Sequence, residues 1–192
     1  MTGAGPGVVE APDLIRPVVG FRQWRMLGGG LGSLAWPELW QGPQHAARCL
    51  ADDTAPHDAP SPDCSCGVYA WYEPFAWTAS ALTADYVAGA VMMWGRAELH
   101  ATGLRAQHAR IVALALPMSP WRKRRRLLSI AEELEVPVVP HRALAAVASI
   151  HGTPVPRSLR PPLSWATGRA VARGRLATQA SDILQARRAR SR

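Results

Sequence analysis

All three cysteines of the chain lie in one short stretch together with a histidine. The stretch contains Cys49, His57 and the pair Cys64 and Cys66, within 18 residues. Structural zinc takes four ligands in a tetrahedron, mostly thiolates and imidazoles, and these residues supply that number and those types. Gly67, which follows the pair, permits the tight backbone turn that a Cys-x-Cys spacing requires. The sequence therefore predicts a structural zinc site with four protein ligands.

Other interpretations of this loop stay open, because Cys-x-Cys is less diagnostic than two Cys-x₂-Cys knuckles. His45, His100 or an aspartate is an alternative to His57 as the fourth ligand. Without His57, three thiolates and a water would leave an open catalytic position. The cysteines are otherwise ordinary reduced thiols, or have an iron–sulfur or thiol-redox role. Their odd number argues against a complete disulfide framework.

A run of basic residues occupies the first turns of a helix that is predicted to start after Ser119 and Pro120. Positive charge there opposes the helix dipole, so the stability of the helix does not explain the run. One interpretation is an anion site, in which basic side chains and helix N–H groups face a phosphate. The other is a solvated face whose arginines pair with distant acids. The run consists of Arg122, Lys123, Arg124, Arg125 and Arg126.

The excess positive charge lies in the C-terminal segment. Residues 157–192 contain nine arginines and one acid, whereas residues 1–156 have 13 basic and 13 acidic groups, which gives the net charge of +8. A basic tail binds nucleic acid or an acidic protein through counterion release. The alternatives are a solubilising tail of biased composition and an amphipathic helix that docks on a protein. The arginines assigned to anion or nucleic-acid contacts are Arg169, Arg173, Arg187, Arg188 and Arg190.

A second candidate for chemistry consists of Glu98, His100 and His108, beside a predicted hairpin turn. Histidine titrates near neutral pH, so this set could perform general acid–base catalysis. No nucleophile with a matching partner accompanies it, and exposed strand residues are the alternative. The sequence therefore favours a protein without catalytic residues.

Strand and helix patterns indicate what positions these residues. Apolar runs at 87–95 and 111–116, with turn residues between them, predict a β-hairpin with a bulge or bend near Gly95. A preceding strand turns back at Gly28–Gly30. Leu127, Ile130, Ala131 and Leu134 recur at the spacing of one helix face, which predicts a helix that docks on the sheet. A second helix is expected at 142–150.

These patterns predict an α+β fold: a strongly bent antiparallel sheet with a zinc-stapled loop, one or two packed helices and a basic C-terminal extension. Residues 1–18 form a flexible N-terminal arm, 19–152 the domain, and 153–192 a Pro-rich linker with a partly helical tail. No segment approaches the roughly 18 to 20 apolar residues of a membrane span, and the N-terminus lacks the features of a signal peptide. We therefore expect a cytoplasmic protein that does not enter membranes.

The function expected from the sequence is that of a non-enzymatic binding module, which contacts nucleic acid or an acidic partner through its basic tail. The first alternative is a structural component of a protein assembly that docks by its C-terminal amphipathic helix. The second is a small metal-dependent or acid–base enzyme. The expected cofactor is a structural zinc ion.

Three segments resemble a group of small actinobacterial proteins. They are 20–25 (Gly-Phe-Arg-Gln-Trp-Arg), the cysteine loop with its continuation Gly-Val-Tyr-Ala at 67–70, and Trp94-Gly95 followed by 103–106 (Gly-Leu-Arg-Ala). The resemblance covers residues 20 to about 140 and implies that these segments belong to one domain. It brings no activity, substrate or catalytic residue with it.

Overall fold

The computed structural model describes residues 9–11, 17–34, 38–49, 56–74, 85–117 and 120–162. Within these ranges, ten strands form one sheet that is accompanied by two helices. The strands are β1 (Val9–Ala11), β2 (Val18–Leu27), β3 (Gly30–Gly32), β4 (Leu39–Trp40), β5 (Gln44–Ala46), β6 (Val68–Trp71), β7 (Tyr86–Leu99), β8 (Gly103–Leu116), β9 (Val138–Pro140) and β10 (Thr153–Pro154). The helices are α1 (Trp121–Glu133) and α2 (Leu144–His151), with 3₁₀ turns at His141–Ala143 and Arg157–Leu159.

Four of the strands close the sheet on itself. β7 and β8 form a long antiparallel hairpin, β2 pairs with β7, and β6 pairs with β8. The ring is completed where Phe21 of β2 pairs with Trp71 of β6. Twisted sheets close in this way when strand edges would otherwise stay unpaired.

The prediction of an α+β fold is confirmed, whereas the sheet is mixed and not wholly antiparallel. β9 pairs with β8 in parallel and β10 pairs with β2 in parallel. Helix α1 lies between β8 and β9, and it supplies the crossover that a parallel pair needs. The sequence prediction did not include these two pairings, because both strands are too short to show a period.

The β7–β8 hairpin and its bend are confirmed. The pairing register shifts between Trp94 and Ala97, and Gly95 has a positive φ of 78°. The bend separates two parts of β7, because residues 86–93 pair with β2 and residues 97–99 pair with β1. The turn at Gly28 and Gly29 likewise joins β2 to β3, as predicted.

Each side of the sheet has its own apolar layer. On one side, Trp24 and Met26 pack with the predicted face of α1, in which Leu127, Ile130 and Ala131 are buried. On the other side, α2 covers Val19, Phe21, Ala90 and Val112 through the buried side chains of Leu144 and Ala148. The predicted helix stripe is therefore confirmed, and both helices dock on the sheet.

The fold extends beyond residues 19–152 at both ends. β1 lies in the segment that we expected to be an N-terminal arm, and β10 continues the sheet after residue 152. Val155 is buried, and the Arg160 guanidinium lies 4.3 Å from the centroid of the Tyr72 ring. The tail arginines from Arg169 onward and the predicted C-terminal helix lie outside the described residues. Among the helices that the structure describes, none is long and apolar enough to cross a membrane.

Candidate metal centre

The structure brings together the four residues that the sequence singled out as ligands. The donor atoms of Cys49, His57, Cys64 and Cys66 all lie within 4.8 Å of one another. The Sγ atoms of Cys49 and Cys64 are 3.5 Å apart, and His57 Nε2 is 3.3 Å from Cys66 Sγ. A tetrahedron with Zn–S bonds of about 2.3 Å and a Zn–N bond of about 2.0 Å has edges of roughly 3.5 to 3.8 Å. Two of the donor–donor distances are close to these edges, and the four donors lie near enough together to hold one metal ion.

The thiols and the neighbouring histidines support this assignment. None of the three cysteines forms a disulfide, since 3.5 Å is far longer than a disulfide bond of about 2.05 Å. His45 contacts Glu38 at 3.2 Å and stacks on Trp40, and the ring of His100 stacks on Tyr69. Throughout the described ranges, this is the one group of three or more His, Cys, Asp or Glu side chains close enough to hold a metal ion.

Strand β8 positions both ends of the loop that carries the ligands. Cys49 follows β5, which pairs with residues 108–110 of β8, and Cys64 and Cys66 precede β6, which pairs with residues 103–106. The backbone N–H of Ala47 donates to the carbonyl of Gln107 at 2.7 Å and extends the first attachment toward Cys49. Because β5 and β6 lie end to end along one edge of β8, the two parts of the ligand set are held side by side.

The side chain of Arg105, which lies on β8, holds the loop in place through hydrogen bonds to the loop backbone. Its Nε and Nη2 donate to Glu98 Oε2 at 2.9 and 2.5 Å, and Nη2 also donates to the carbonyl of Ser61 at 2.8 Å. Its Nη1 donates to the carbonyls of Cys64 and Cys66, the latter at 2.9 Å. A guanidinium has five N–H donors, and all five are used here. The side chain thus fixes the backbone of two ligand residues.

The Arg105–Glu98 pair lies in the interior, where both residues are at most 3% exposed. Removing one partner from such a pair leaves an uncompensated buried charge. Sequence reasoning did not identify this role of Arg105. The signal that could have indicated it is the register of the predicted hairpin, which places Glu98 directly across from Arg105. Oppositely charged side chains in such cross-strand positions attract each other.

The acid–base set of Glu98, His100 and His108 is divided among different partners. Glu98 binds Arg105, His100 stacks on Tyr69, and the ring of His108 stacks on Trp94 at 5.5 Å. Burial lowers the pKa of His100, and the charge of Arg105 lowers it further, so His100 is neutral at pH 7. This arrangement offers no general base paired with a nucleophile.

Two further features concern the backbone and the protonation of the Cys64–Cys66 pair. The hydroxyl of Tyr69 donates to the carbonyl of Ser65, between the two cysteines of the pair, at 2.8 Å. Burial raises the pKa of the Cys66 thiol to about 11, with a further contribution from its hydrogen bond to Cys64. A bound cation favours the thiolate, so metal binding would release protons from this site.

Replacing Gly67 with alanine is expected to destabilise the loop by about 2 kcal/mol. Gly67 has a φ of 129°, and a Cβ there would lie 3.2 Å from both Cβ and Cδ of Arg105 and 3.3 Å from Cβ of Pro60. Urea denaturation measures the loss of unfolding free energy. The matched control is Gly42→Ala, because a Cβ at Gly42 meets nothing within 4 Å. Equal stability of the two variants would show that this close packing is not required.

The basic run occupies one end of α1, and its members have different roles. Arg126 donates to the carbonyls of Met26 and Gly28, at 3.1 and 2.9 Å from Nη2, and so ties the β2–β3 turn to the helix. Burial lowers the pKa of Lys123, which is half-buried. The side chains of the remaining members are exposed and make no hydrogen bond or ion pair with any described residue. They are Arg122, Arg124 and Arg125.

Trp121 begins the helix beside these arginines and is 65% exposed. The guanidinium carbon of Arg122 lies 5.7 Å from the centroid of its ring. Trp121, Arg122 and Arg125 border a cleft of about 450 Å³ between α1 and the β2–β3 turn. By contrast, Trp24 and Trp40 are buried in the core.

Comparisons with protein-family models, with curated proteins and with solved structures give no match. The function is therefore inferred from the geometry of the chain itself.

Proposed function

We propose that the protein is a non-enzymatic, zinc-stabilised binding module that contacts nucleic acid through the basic end of α1 and the C-terminal arginines. The carrying observation is the group of exposed arginines, Arg122, Arg124 and Arg125, which have no acidic partner among the described residues and adjoin the exposed Trp121. The metal loop is attached to β8 on both sides and stabilises the sheet that supports the helix.

The donor set favours zinc over other metals. Three thiolates and one imidazole are soft or borderline ligands, which suit zinc and do not suit magnesium or calcium. Four protein ligands fill a tetrahedral coordination sphere, so no position remains for a substrate or a reactive water. The proposed ion is therefore structural.

Protein purified without added metal or chelator is expected to contain one zinc ion per chain. Its three thiols should resist a thiol reagent until a chelator is added, because zinc-bound thiolates are shielded from reaction. Elemental analysis and thiol counting on the same sample provide the test. A chain without metal and with three freely reactive thiols would refute the zinc assignment.

Two features favour nucleic acid over an acidic protein as the anionic partner. The arginines stand at a helix N-terminus, where the helix dipole adds positive potential and phosphates bind readily. α1 has no acidic residue in its first turn and no side-chain cap. The exposed indole of Trp121 provides a face on which bases stack, a contact that carboxylates do not offer.

Replacing Arg122, Arg124 and Arg125 with glutamine is expected to weaken the binding of an oligonucleotide and to reduce its dependence on salt. Each phosphate contact in single strands adds about 0.7 to the slope of log K against log salt, so three lost contacts reduce the slope by about 2. Fluorescence anisotropy across a range of salt concentrations measures this. The control replaces the exposed Arg96, Arg142 and Arg157, which changes the net charge equally. Equal effects in both variants would contradict a localised basic site.

The contribution of the tail is best tested by ending the chain after Pro162. An earlier end would remove Val155, which is buried, and Arg160, which donates to the Val155 carbonyl and to Glu73. Such a loss would confuse a folding defect with a binding defect. A chain that ends at 162 lacks the seven arginines of 163–192 and keeps both contacts.

A further inference from the structure

We propose that the cleft beside Trp121 binds one unpaired base of single-stranded nucleic acid, which stacks on the indole while its flanking phosphates contact Arg122 and Arg125. This inference rests on the proposed nucleic-acid binding and specifies its substrate as single-stranded.

The cleft has the size and shape that a nucleotide requires. Its volume is about 450 Å³, within the range of roughly 300 to 1,000 Å³ that is typical of small-molecule sites. One wall is α1, along which the lining runs from Trp121 to Glu133, and the other is the β2–β3 turn. Arg126 bonds the two walls together through the carbonyls of Met26 and Gly28, so the cleft is held open by a fixed contact.

Trp121 has the properties of a stacking surface. It is the first residue of α1 and stays 65% exposed, although the same helix buries Leu127 and Ile130 completely or nearly so. Its indole is therefore not needed by the core. A base stacked on an aromatic ring contributes about 1 to 3 kcal/mol to binding, and an adjacent guanidinium supports such stacking. Only a base that has left a duplex stack can occupy this face, which favours single strands.

The wall formed by the β2–β3 turn presents no side chain at Gly28 and Gly29. A Cβ at Gly28 would meet nothing within 4 Å, and a Cβ at Gly29 would have Glu133 Oε2, at 4.0 Å, as its nearest neighbour. Gly28 has a φ of 56°, so glycine is favoured there by the turn itself. Gly29 has no such requirement, and its missing side chain leaves room for a ligand.

The experiment measures anisotropy of labelled 12-nucleotide oligo-dC, oligo-dT and a duplex of mixed sequence with the full-length, zinc-containing protein. Trp121→Ala is expected to weaken binding to oligo-dC by about tenfold and to leave duplex binding unchanged. The salt slope should stay constant, because no charge is removed. Ile150→Ala is the control, since Ile150 is a 79% exposed apolar residue outside the cleft.

A second variant tests the cleft without changing Trp121. Gly29→Leu fills the space with little cost to folding, because no atom lies closer than 4.0 Å to the new Cβ. Binding to oligo-dC should fall by a similar factor, and the melting temperature should match that of the control Gly42→Leu.

The outcomes separate this inference from the proposed function. If the wild type binds single strands and the arginine variant loses salt dependence, yet Trp121→Ala and Gly29→Leu bind as the wild type does, the base site is refuted and the function stands. Equal affinity for duplex and single strands also overturns it. If the wild type binds neither form, the proposed function itself fails.

Discussion

Removal of the metal is expected to lower the melting temperature by on the order of 10 °C while leaving the sheet folded at room temperature. A ligand that binds only the folded chain stabilises it by about 4 kcal/mol when its free concentration is 1,000 times its dissociation constant. For a chain of this size, each kcal/mol shifts the melting temperature by about 2 to 4 °C. Calorimetry with and without chelator measures the shift. The sheet should stay folded because its two apolar layers do not include the loop ligands. The loop meets the sheet through its attachment to β8.

Cys64→Ser should reproduce the effect of the chelator and make the protein insensitive to further chelation. Its matched control is Ser65→Ala, one residue away, since the Ser65 side chain is exposed and only its backbone carbonyl is bonded, to Tyr69. If the ion is bound as proposed, chelator should lower the melting temperature of Ser65→Ala as much as it lowers that of the wild type. An identical melting temperature for all samples, with and without chelator, would show that the loop holds no stabilising metal.

Arg105→Met is expected to cost about 3 to 5 kcal/mol of unfolding free energy and to reduce metal retention as well. The substitution leaves the Glu98 carboxylate buried without its counter-charge, and it removes the donors to the carbonyls of Ser61, Cys64 and Cys66. Urea denaturation gives the stability, and competition with a chromophoric chelator gives the metal affinity. Arg110→Met on the same strand is the control, because Arg110 is exposed.

The double variant Arg105→Met with Glu98→Leu separates the two roles of the arginine. Removing both charges should recover most of the lost stability, because neutral apolar pairs replace buried ion pairs well. Metal affinity should stay low, since the loop carbonyls still lack their donors and the ligand backbone is no longer fixed. Full recovery of metal affinity in the double variant would show that Arg105 does not position the ligands.

The parts of the fold that the sequence predicted are those with a local period or a distinctive residue type. The hairpin with its bend at Gly95 followed from two apolar runs around a turn, and the buried face of α1 followed from Leu127, Ile130 and Ala131. The cluster of Cys49, His57, Cys64 and Cys66 followed from the chemistry of its members.

What the sequence did not reveal depends on contacts between distant segments. The closure of the sheet rests on the pairing of Phe21 with Trp71, and no local pattern indicates such a pair. The role of Arg105 depends on backbone carbonyls, which every residue has, so residue types cannot show it. The exposure of Trp121 likewise could not be predicted from its residue type, because most tryptophans are core residues. It depends on which segments pack against the start of α1.

One edge of β8 is occupied end to end by β6, β5 and β9, while its other edge pairs with β7. This arrangement has a consequence for the order of assembly during synthesis. Arg105 is made 39 residues after Cys66, so the ribosome completes every metal ligand well before the strand that holds them in place. Pairings of such long sequence separation form slowly, because loop closure must precede them. The thiols of a nascent chain therefore lack the strand that positions them until β8 arrives, and the proposed metal site is complete only when that strand docks.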